Sequence, residues 1–293
     1  MPFHVPIDEA RSMFSQYDFV STLTPSAQKA AFHVKDDKGF DLCLKIVSPD
    51  YDVDRLGREI EALQQINHPN VVKLYEYTFS STPSSVRHYL VEEFIEGNDL
   101  EDELQTAPWE LARIYTTFAE LADGLTALEE IDVVHRDLKP QNVRIRIDGH
   151  PVIIDFGLAR HLNLSDLTRT DEGAGLGTPL YFAPEQFLGT KRDIDRRTDL
   201  FAFGIMLFQA ALGRHPFFEP GITYPELRSR VCENGDSLES DDFNALPKKL
   251  QLILRRLLAR ERLSRLGSAA QTSALLRKAG KTHEERRLAP VRR

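Results

Sequence analysis

The segment HRDLKPQN at 135–142 holds the residues best suited to chemistry in this chain. Asp137 can accept a proton from an attacking hydroxyl, or orient it, when the acid lies in a tight loop. Asn142 offers an amide oxygen, which is a hard ligand suited to Mg²⁺. The spacing indicates a general base beside a cation ligand, and the alternative is an ordinary polar loop.

A second acid, Asp155, follows the apolar run VII and opens the tripeptide DFG at 155–157. A carboxylate at the end of a buried strand, next to a glycine that permits a sharp turn, is a natural metal ligand. A single DFG is weak evidence. Here the short distance along the chain allows Asp137 and Asp155 to face one cleft.

Lys45 ends the strand-like segment DLCLK, and Glu59 lies on the helix predicted to follow it. A lysine at this place is often an edge residue that extends its ammonium into solvent. A lysine paired with a carboxylate can instead hold phosphate oxygens. We expect the pair of Lys45 and Glu59.

Composition limits the class of protein. With 293 residues, 41% of them apolar, the chain can bury the core of one large domain or of two lobes. The net charge of -8 argues against non-specific binding to nucleic acid. Cys43 and Cys232 are the only cysteines and match neither a metal motif nor a disulfide framework, which predicts a cytoplasmic protein. No signal peptide is expected, because the N-terminal residues include neither a basic region nor a long apolar core. No membrane span is expected, because the longest apolar run, 200–212, is too short.

The two parts of the chain differ in periodicity. Strand-like segments dominate the first part, at 17–23, 30–34, 40–47, 71–79 and 87–94, with one helix at 53–67. Helical patterns dominate from about residue 98, at 109–131, 200–212, 224–231, 247–259 and 268–279. Two short strands are predicted around 143–147 and 152–156.

Lys45, Glu59, HRDLKPQN, DFG and APE at 183–185 occur in the order and approximate spacing of the protein-kinase signature set. Over about 17–279 the chain therefore resembles a eukaryotic-like (Hanks-type) Ser/Thr protein kinase catalytic domain, of the compact type found in bacteria. Lys139 and GTPLYFAPE at 177–185 resemble the Ser/Thr branch rather than the Tyr branch.

The resemblance implies an α+β, bilobal protein kinase-like fold, with a small β-rich N-lobe that carries one key helix and a larger, mainly helical C-lobe. The predicted boundaries are an N-terminal extension at 1–16, the N-lobe at 17–94, the C-lobe at 95–279, and a basic, disordered tail at 280–293.

The resemblance also implies roles. Asp137 is the expected catalytic base, and Lys139 is expected to contact the transferred phosphate. Thr178 is expected to contact the side chains of Asp137 and Lys139. Asn142 and Asp155 are expected to bind Mg²⁺, and Mn²⁺ is also compatible. The substrates implied are ATP and proteins, with no nucleic-acid or membrane partner, and the sequence does not determine the oligomeric state.

Lys45 is expected to hold the α- and β-phosphates. The remaining nucleotide contacts are expected from Ala31, Cys43, Glu93 and Ile95. Glu92 and Arg144 are unusual residues for their positions beside the adenine pocket, and we expect both to turn toward solvent.

The phosphate loop lacks glycine. Thr24, Ser26 and Lys29 stand where the family has G-x-G-x-x-G. A non-glycine residue in left-handed geometry costs roughly 1–2 kcal/mol, which corresponds to an affinity loss of about 5- to 30-fold. Lys29 can supply a cation in exchange. Because all the ionic catalytic residues are present we expect an active enzyme; the alternative is a pseudokinase that acts as a nucleotide-binding scaffold.

A third interpretation is a small-molecule phosphotransferase of the antibiotic-kinase type. GTPLYFAPE, Asp199 and Arg265 argue against it, because in the protein kinases they build a platform for protein substrates. Asp199 resembles the acid that holds the backbone of the catalytic loop, and Glu185 is expected to form an ion pair with Arg265.

Regulation is expected at the activation loop. Arg136 precedes the base, where the family commonly pairs an arginine with a phosphorylated residue. Thr168 and Thr170 are the best acceptors, and a phosphate there could order the loop. The alternative is that Asp171 and Glu172 already supply the negative charge.

Overall fold

The computed structural model describes residues 3–25, 29–48, 60, 63–78, 88–105, 108–155, 178–189, 193–233 and 238–288, and only the backbone of 178 and 286–288. The chain divides into two compact units, Met1–Glu96 and Gly97–Arg293. No helix among these described residues is both long enough and apolar enough to cross a membrane.

The first unit is built on a five-stranded antiparallel sheet. Its strands are β1 (Asp18–Thr22), β2 (Lys29–Lys35), β3 (Asp41–Val47), β4 (Leu74–Thr78) and β5 (Tyr89–Glu93), in the order β1-β2-β3-β5-β4. Successive side chains of a strand point to opposite faces. The alternation in β2 therefore sends Phe32 and Val34 to one face, and Ala31 and His33 to the other.

The N-terminal extension covers one of these faces. It contains helix α1 (Ile7–Met13), whose Ala10 is buried against the cluster that includes Phe32 and Leu44. Phe14 packs edge-on against Tyr89, with 4.8 Å between the ring centroids. Burial of these apolar side chains fixes α1 on the sheet, and the opposite face of the sheet is the one that α1 does not cover.

The second unit is mainly helical and carries a small sheet. Its strands are β6 (Gly97–Asp99), β7 (Val143–Arg146) and β8 (Pro151–Ile153), paired antiparallel in that order. Its helices are α2 (Leu100–Leu104), α3 (Leu111–Glu129), α4 (Pro184–Phe187), α5 (Arg196–Leu212), α6 (Tyr224–Cys232), α7 (Asp241–Ala245), α8 (Lys248–Leu257) and α9 (Ala269–Leu288).

Helix α5 is the apolar helix that the sequence predicts at 200–212. Asp195 caps its start, since the side chain accepts a hydrogen bond from the amide of Arg197 at 2.8 Å. Gly213 ends it in the left-handed conformation, with φ 67°. Nearly every side chain between the caps is buried, so α5 forms the centre of the unit.

The predicted disordered tail is wrong for residues 280–288, which belong to α9. That helix packs along α3. Ser273 donates to the carboxylate of Asp123 at 2.6 Å, and Leu276 and Ala279 are buried. The contact is close at Gly280, where a Cβ atom would lie 3.0 Å from the side chain of Tyr115. The charged residues of this segment therefore continue a helix whose preceding turns pack against α3.

Candidate active site

The catalytic loop is held in place by Asp199, at the start of α5. The backbone amides of His135 and Arg136 donate to its two carboxylate oxygens, at 2.7 and 2.8 Å. Arg136 has a φ of 63°, a left-handed backbone conformation that residues other than glycine adopt only at a cost in free energy. Complete burial raises the pKa of Asp199 to about 7, and the two amide bonds oppose that rise. Asp199 therefore stabilises a strained loop, as the resemblance implies.

Three predicted catalytic residues lie together in this loop. The ammonium of Lys139 lies 2.9 Å from Oδ2 of Asp137. The amide nitrogen of Asn142 donates to the backbone carbonyl of Asp137 at 2.8 Å. That bond fixes which end of the amide faces Asp137, and it turns Oδ1 of Asn142 away, in the orientation that a cation ligand needs.

Asp155 follows β8, directly beside this loop. The amide of Ile154 donates to the carbonyl of Asn142 at 2.9 Å, and its carbonyl faces Nε2 of His135 at 3.3 Å. Asp155 itself has a φ of 51°. The carboxylate of Asp155 and the amide of Asn142 are hard oxygen donors and fit Mg²⁺. Phe156 and Gly157 lie outside the described residues.

The predicted nucleotide contacts of the first unit share one face of its sheet. In the register of β2 and β3, Ala31 lies opposite Lys45, His33 opposite Cys43, and Lys29 opposite Val47. Lys29, Ala31, Cys43 and Lys45 therefore project from the face that α1 leaves uncovered. Lys29 and Lys45 are buried lysines, with 6% and 7% of their surface exposed. Thr24 is exposed, and Ser26 lies outside the described residues.

Glu92 corrects one expectation. It does not turn toward solvent, because its side chain is only 7% exposed and its Oε2 lies 2.7 Å from the ammonium of Lys45. Glu92 pairs with Cys43 across the β3–β5 ladder, on the same face as Lys45. Glu59, the partner predicted from sequence, lies outside the described residues.

The segment after β5 continues the predicted contact region. The amide of Glu93 donates to the carbonyl of Lys73 at 2.9 Å, and Ile95 is buried. Phe94 stacks on His33, with 3.8 Å between the ring centroids. His33 also lies 2.6 Å from the carboxylate of Asp41. Phe94 and Asp41, the two partners of His33, are distant from each other in sequence, and no sequence pattern indicates that they meet.

Arg144 also departs from expectation. Its guanidinium binds the carboxylate of Asp99 at 2.8 Å and the carbonyl of Gly97. Asp99 lies opposite Arg144 in the β6–β7 ladder, so the pair is set by strand register. The side chain is therefore bound along the small sheet rather than turned toward solvent.

The segment 178–187 is attached to the catalytic loop by Gln186, which sequence reasoning missed. Its side-chain nitrogen donates to the carbonyl of Arg136 at 2.9 Å, and its oxygen accepts from the amide of Ala183 at 3.0 Å. The expected pair of Glu185 and Arg265 is present and bidentate, at 2.7 and 2.8 Å. The side chain of Thr178 and both Thr168 and Thr170 lie outside the described residues, so their predicted contacts with Asp137, Lys139 and Arg136 stay predictions.

His215 also supports the segment 178–187, and no sequence pattern indicated this role. Its Nε2 lies 2.9 Å from the carbonyl of Leu180, and its Nδ1 accepts from the amides of Phe217 and Phe218, at 3.0 and 2.9 Å. One neutral tautomer satisfies all three bonds, with Nε2–H as donor and Nδ1 as acceptor. Burial lowers the pKa of His215 from 6.5 to about 4.

This histidine is expected to make stability depend on pH. A folded-state pKa below the unfolded value gives stability that is present above pH 6.5 and is lost as the pH falls toward about 4. The difference corresponds to about 3 kcal/mol. Urea unfolding at neutral pH and at about pH 4 measures how much of the free energy of unfolding is lost on acidification. The loss should be smaller for His215→Gln than for the natural protein, because glutamine keeps a donor and an acceptor but does not titrate. Equal losses in both proteins would contradict the role.

Comparison with known proteins agrees with this arrangement. The protein kinase domain model matches residues 29–276. The chain is 36% identical over 171 residues to the serine/threonine-protein kinase pkn2 of Myxococcus xanthus, covering 57% of this chain and 20% of that protein. It is 32% identical over 221 residues to the DNA damage-responsive serine/threonine-protein kinase RqkA of Deinococcus radiodurans, covering 73% and 32%.

A third relative is the serine/threonine-protein kinase PknB of Mycobacterium tuberculosis, 30% identical over 183 residues, covering 60% of this chain and 29% of that protein. The chain thus spans between about a fifth and a third of the length of these relatives.

One unit is built on an antiparallel sheet, and the other is mainly helical and brings Asp137, Asn142 and Asp155 near one another. These features are those of a protein kinase domain. The chain belongs to the protein kinase family, in its Hanks-type serine/threonine class. The expected α+β fold and the expected protein kinase family are thereby confirmed.

Proposed function

We propose that this domain transfers the γ-phosphoryl group of ATP to Ser or Thr hydroxyls of protein substrates. The observation that carries the proposal is the cluster of Asp137, Lys139 and Asn142 in one loop, tied to Asp199. Such a cluster supplies positioning and charge neutralisation, which are the main sources of catalysis in phosphoryl transfer.

Each residue of the cluster has a proposed task. Asp137 orients the attacking hydroxyl and accepts its proton, and Lys139 neutralises charge on the transferred group. Asn142 and Asp155 bind Mg²⁺, for which Mn²⁺ can substitute, and the ion neutralises phosphate charge when bound. Lys45 holds the α- and β-phosphates. Glu93 and Ile95 are proposed to contact the adenine, together with Ala31 and Cys43.

The regulatory and cellular parts of the proposal rest on the sequence. Autophosphorylation of Thr168 and Thr170, with Arg136 as the partner of the phosphate, is proposed from the position of Arg136 before the base. The side chain of Thr178 is proposed to contact Asp137 and Lys139. Protein substrates are proposed from the family, and a cytoplasmic location from the cysteine content.

The test is phosphate incorporation. The protein is incubated with Mg²⁺, ATP and a generic protein substrate, and phosphorylated residues of both chains are mapped by mass spectrometry. Incorporation on Ser or Thr by the natural chain, and little by Asp137→Asn, is expected. Equal incorporation by the two proteins would overturn the assignment of the base.

Lys29 is proposed to compensate for the missing glycines. In the family, glycine lets backbone amides approach phosphate closely. Here a lysine stands at the third glycine position, buried and on the same sheet face as Lys45. Two buried cations on one face favour a polyanionic ligand, because charge–charge attraction is stronger away from water.

Lys29→Met is expected to weaken ATP binding about tenfold, equivalent to about 1.4 kcal/mol. The substitution removes the charge and keeps an unbranched side chain. Lys35→Met is the matched control, since Lys35 is on the same strand, is partly exposed and pairs with Asp41 at 3.0 Å. Calorimetric titration with ATP measures both. A similar change in the two variants would reject a specific role for Lys29.

A further inference from the structure

The ion pair between Lys45 and Glu92 is built into the sheet. Lys45 lies on β3 and Glu92 on the adjacent β5, and their side chains are 9% and 7% exposed. In the ladder, Glu92 lies opposite Cys43, and Lys45 opposite Leu90. Both partners are therefore carried by one hydrogen-bonded framework, so the pair forms without the movement of any helix.

The register also gives the direction in which Lys45 leans. On β2, Lys29 lies opposite Val47, two residues beyond Lys45 along β3. Cys43, and with it Glu92, lies two residues to the other side of Lys45. An ammonium that binds Glu92 is thus drawn toward the end of the face away from Lys29.

We propose that Glu92 is a positioning residue: its carboxylate holds the ammonium of Lys45, and the phosphates of ATP must displace that carboxylate to bind Lys45. This inference rests on the proposed function, in which Lys45 holds the α- and β-phosphates of ATP and Lys29 adds a second cation on the same sheet face. Lys45 cannot serve both ligands fully, because a buried carboxylate and a phosphate compete for one ammonium. The carboxylate also repels a polyanion on the same face.

The consequence is a kinase domain whose ATP affinity is limited by its own carboxylate. Removing the charge of Glu92 should therefore tighten ATP binding, although it breaks a buried pair. The same change should lower the melting temperature of the protein without nucleotide, because the buried ammonium loses its ionic contact with the Glu92 carboxylate. ATP supplies phosphate oxygens to Lys45 in place of that carboxylate, so the rise in melting temperature caused by ATP should become larger.

The experiment compares the natural protein with Glu92→Gln, in Mg²⁺ and ATP, by calorimetric titration and thermal melting. Glu92→Gln is expected to lower the Kd for ATP about tenfold, equivalent to about 1.4 kcal/mol. KM for ATP should fall with it, and kcat should change little. Glu96→Gln, which neutralises an exposed acid nearby, is the control and should leave the Kd unchanged.

A purely structural role gives the opposite result, since a loosened sheet would weaken ATP binding. An unchanged or higher Kd in Glu92→Gln would overturn the proposal. If Glu92→Gln does not fold, Glu92→Asp retains the charge but shortens the reach by one methylene, and a Kd equal to or higher than that of the natural protein would overturn it as well. The titrations need no turnover, so failure of the proposed function, seen as missing phosphate incorporation, is separately visible.

Discussion

Asp137→Asn is expected to slow phosphoryl transfer by about 10²- to 10⁴-fold, the usual contribution of a general base. An amide has nearly the shape of the carboxylate but cannot accept the proton of the hydroxyl. It also no longer pairs as an anion with Lys139, whose ammonium lies 2.9 Å from Oδ2 of Asp137. Initial rates at saturating Mg²⁺ and ATP measure the loss, which should fall on kcat.

ATP affinity should survive this substitution, because Asp137 is assigned to neither the phosphates nor the metal. The matched control is Asp148→Asn, which changes an exposed aspartate whose side chain accepts from the amide of His150 at 3.2 Å. That bond can be kept by an asparagine, so the rate should be unchanged. A comparable fall of kcat in both variants would show that the loss in Asp137→Asn is not due to the base.

Arg265→Met is expected to destabilise the second unit by about 3–5 kcal/mol, because it leaves the Glu185 carboxylate buried without its cation. No part of the Arg265 side chain is exposed, and its two terminal nitrogens lie 2.7 and 2.8 Å from the two oxygens of Glu185. Thr198 also donates to Glu185, at 2.8 Å. Arg265 further donates to the carbonyl of Ala259 at 2.8 Å, so packing and backbone bonds are lost together.

Arg214→Met provides the comparison within the same unit. Arg214 also forms a bidentate pair, with both bonds to Asp242 at 3.0 Å, but the side chains are 42% and 46% exposed. An exposed pair contributes up to about 1 kcal/mol. Urea unfolding of both variants measures the difference. A loss as small as that of Arg214→Met would contradict the structural role of the Arg265 pair.

A second measurement separates the ion pair from the bulk of Arg265. Glu185→Gln should cost nearly as much as Arg265→Met, since it leaves the guanidinium buried. The double variant should lose less than the sum of the two single losses, because each single change already breaks the same pair. Additive losses would mean that the two side chains act independently.

The catalytic loop was predictable because its geometry is local. Asp137, Lys139 and Asn142 lie within six residues, and the bonds that join them close over that short segment. Asp155 was predictable for a related reason, since a short hairpin of β7 and β8 returns the chain to Asn142. The strands and most helices follow from the period of their apolar residues.

The contact of Lys45 with Glu92 could not be predicted in this way, and the predicted pair of Lys45 and Glu59 stays a prediction. Glu92 reaches Lys45 through the pairing of β3 with β5, and a change of register by one residue would move Glu92 to the other face. His215 and Gln186 are similar cases. His215 binds the backbone carbonyl of Leu180, and Gln186 binds that of Arg136, and both carbonyls are distant in sequence. Every residue has a backbone carbonyl, so the type of the accepting residue does not indicate such a bond.

The prediction of a disordered tail failed because it considered composition and ignored packing. The charges of this tail favour solvation when residues 280–293 are considered alone. The place of residues 280–288 in α9 depends on α3, where Asp123 and Tyr115 provide the surface that the helix packs against. Packing of this kind contributes free energy that composition does not contain.

The sequence alone indicated the chain's class and its expected chemistry. It also gave the positions of the proposed base, metal ligands and phosphate-binding lysine, because these depend on residue type at short or regular spacing. The tertiary structure decided that Glu92 contacts Lys45, which side chains hold the segment 178–187, and where the N-terminal extension and the C-terminal helix lie. These depend on strand register and on burial between distant segments, and both emerge only when the whole chain has folded.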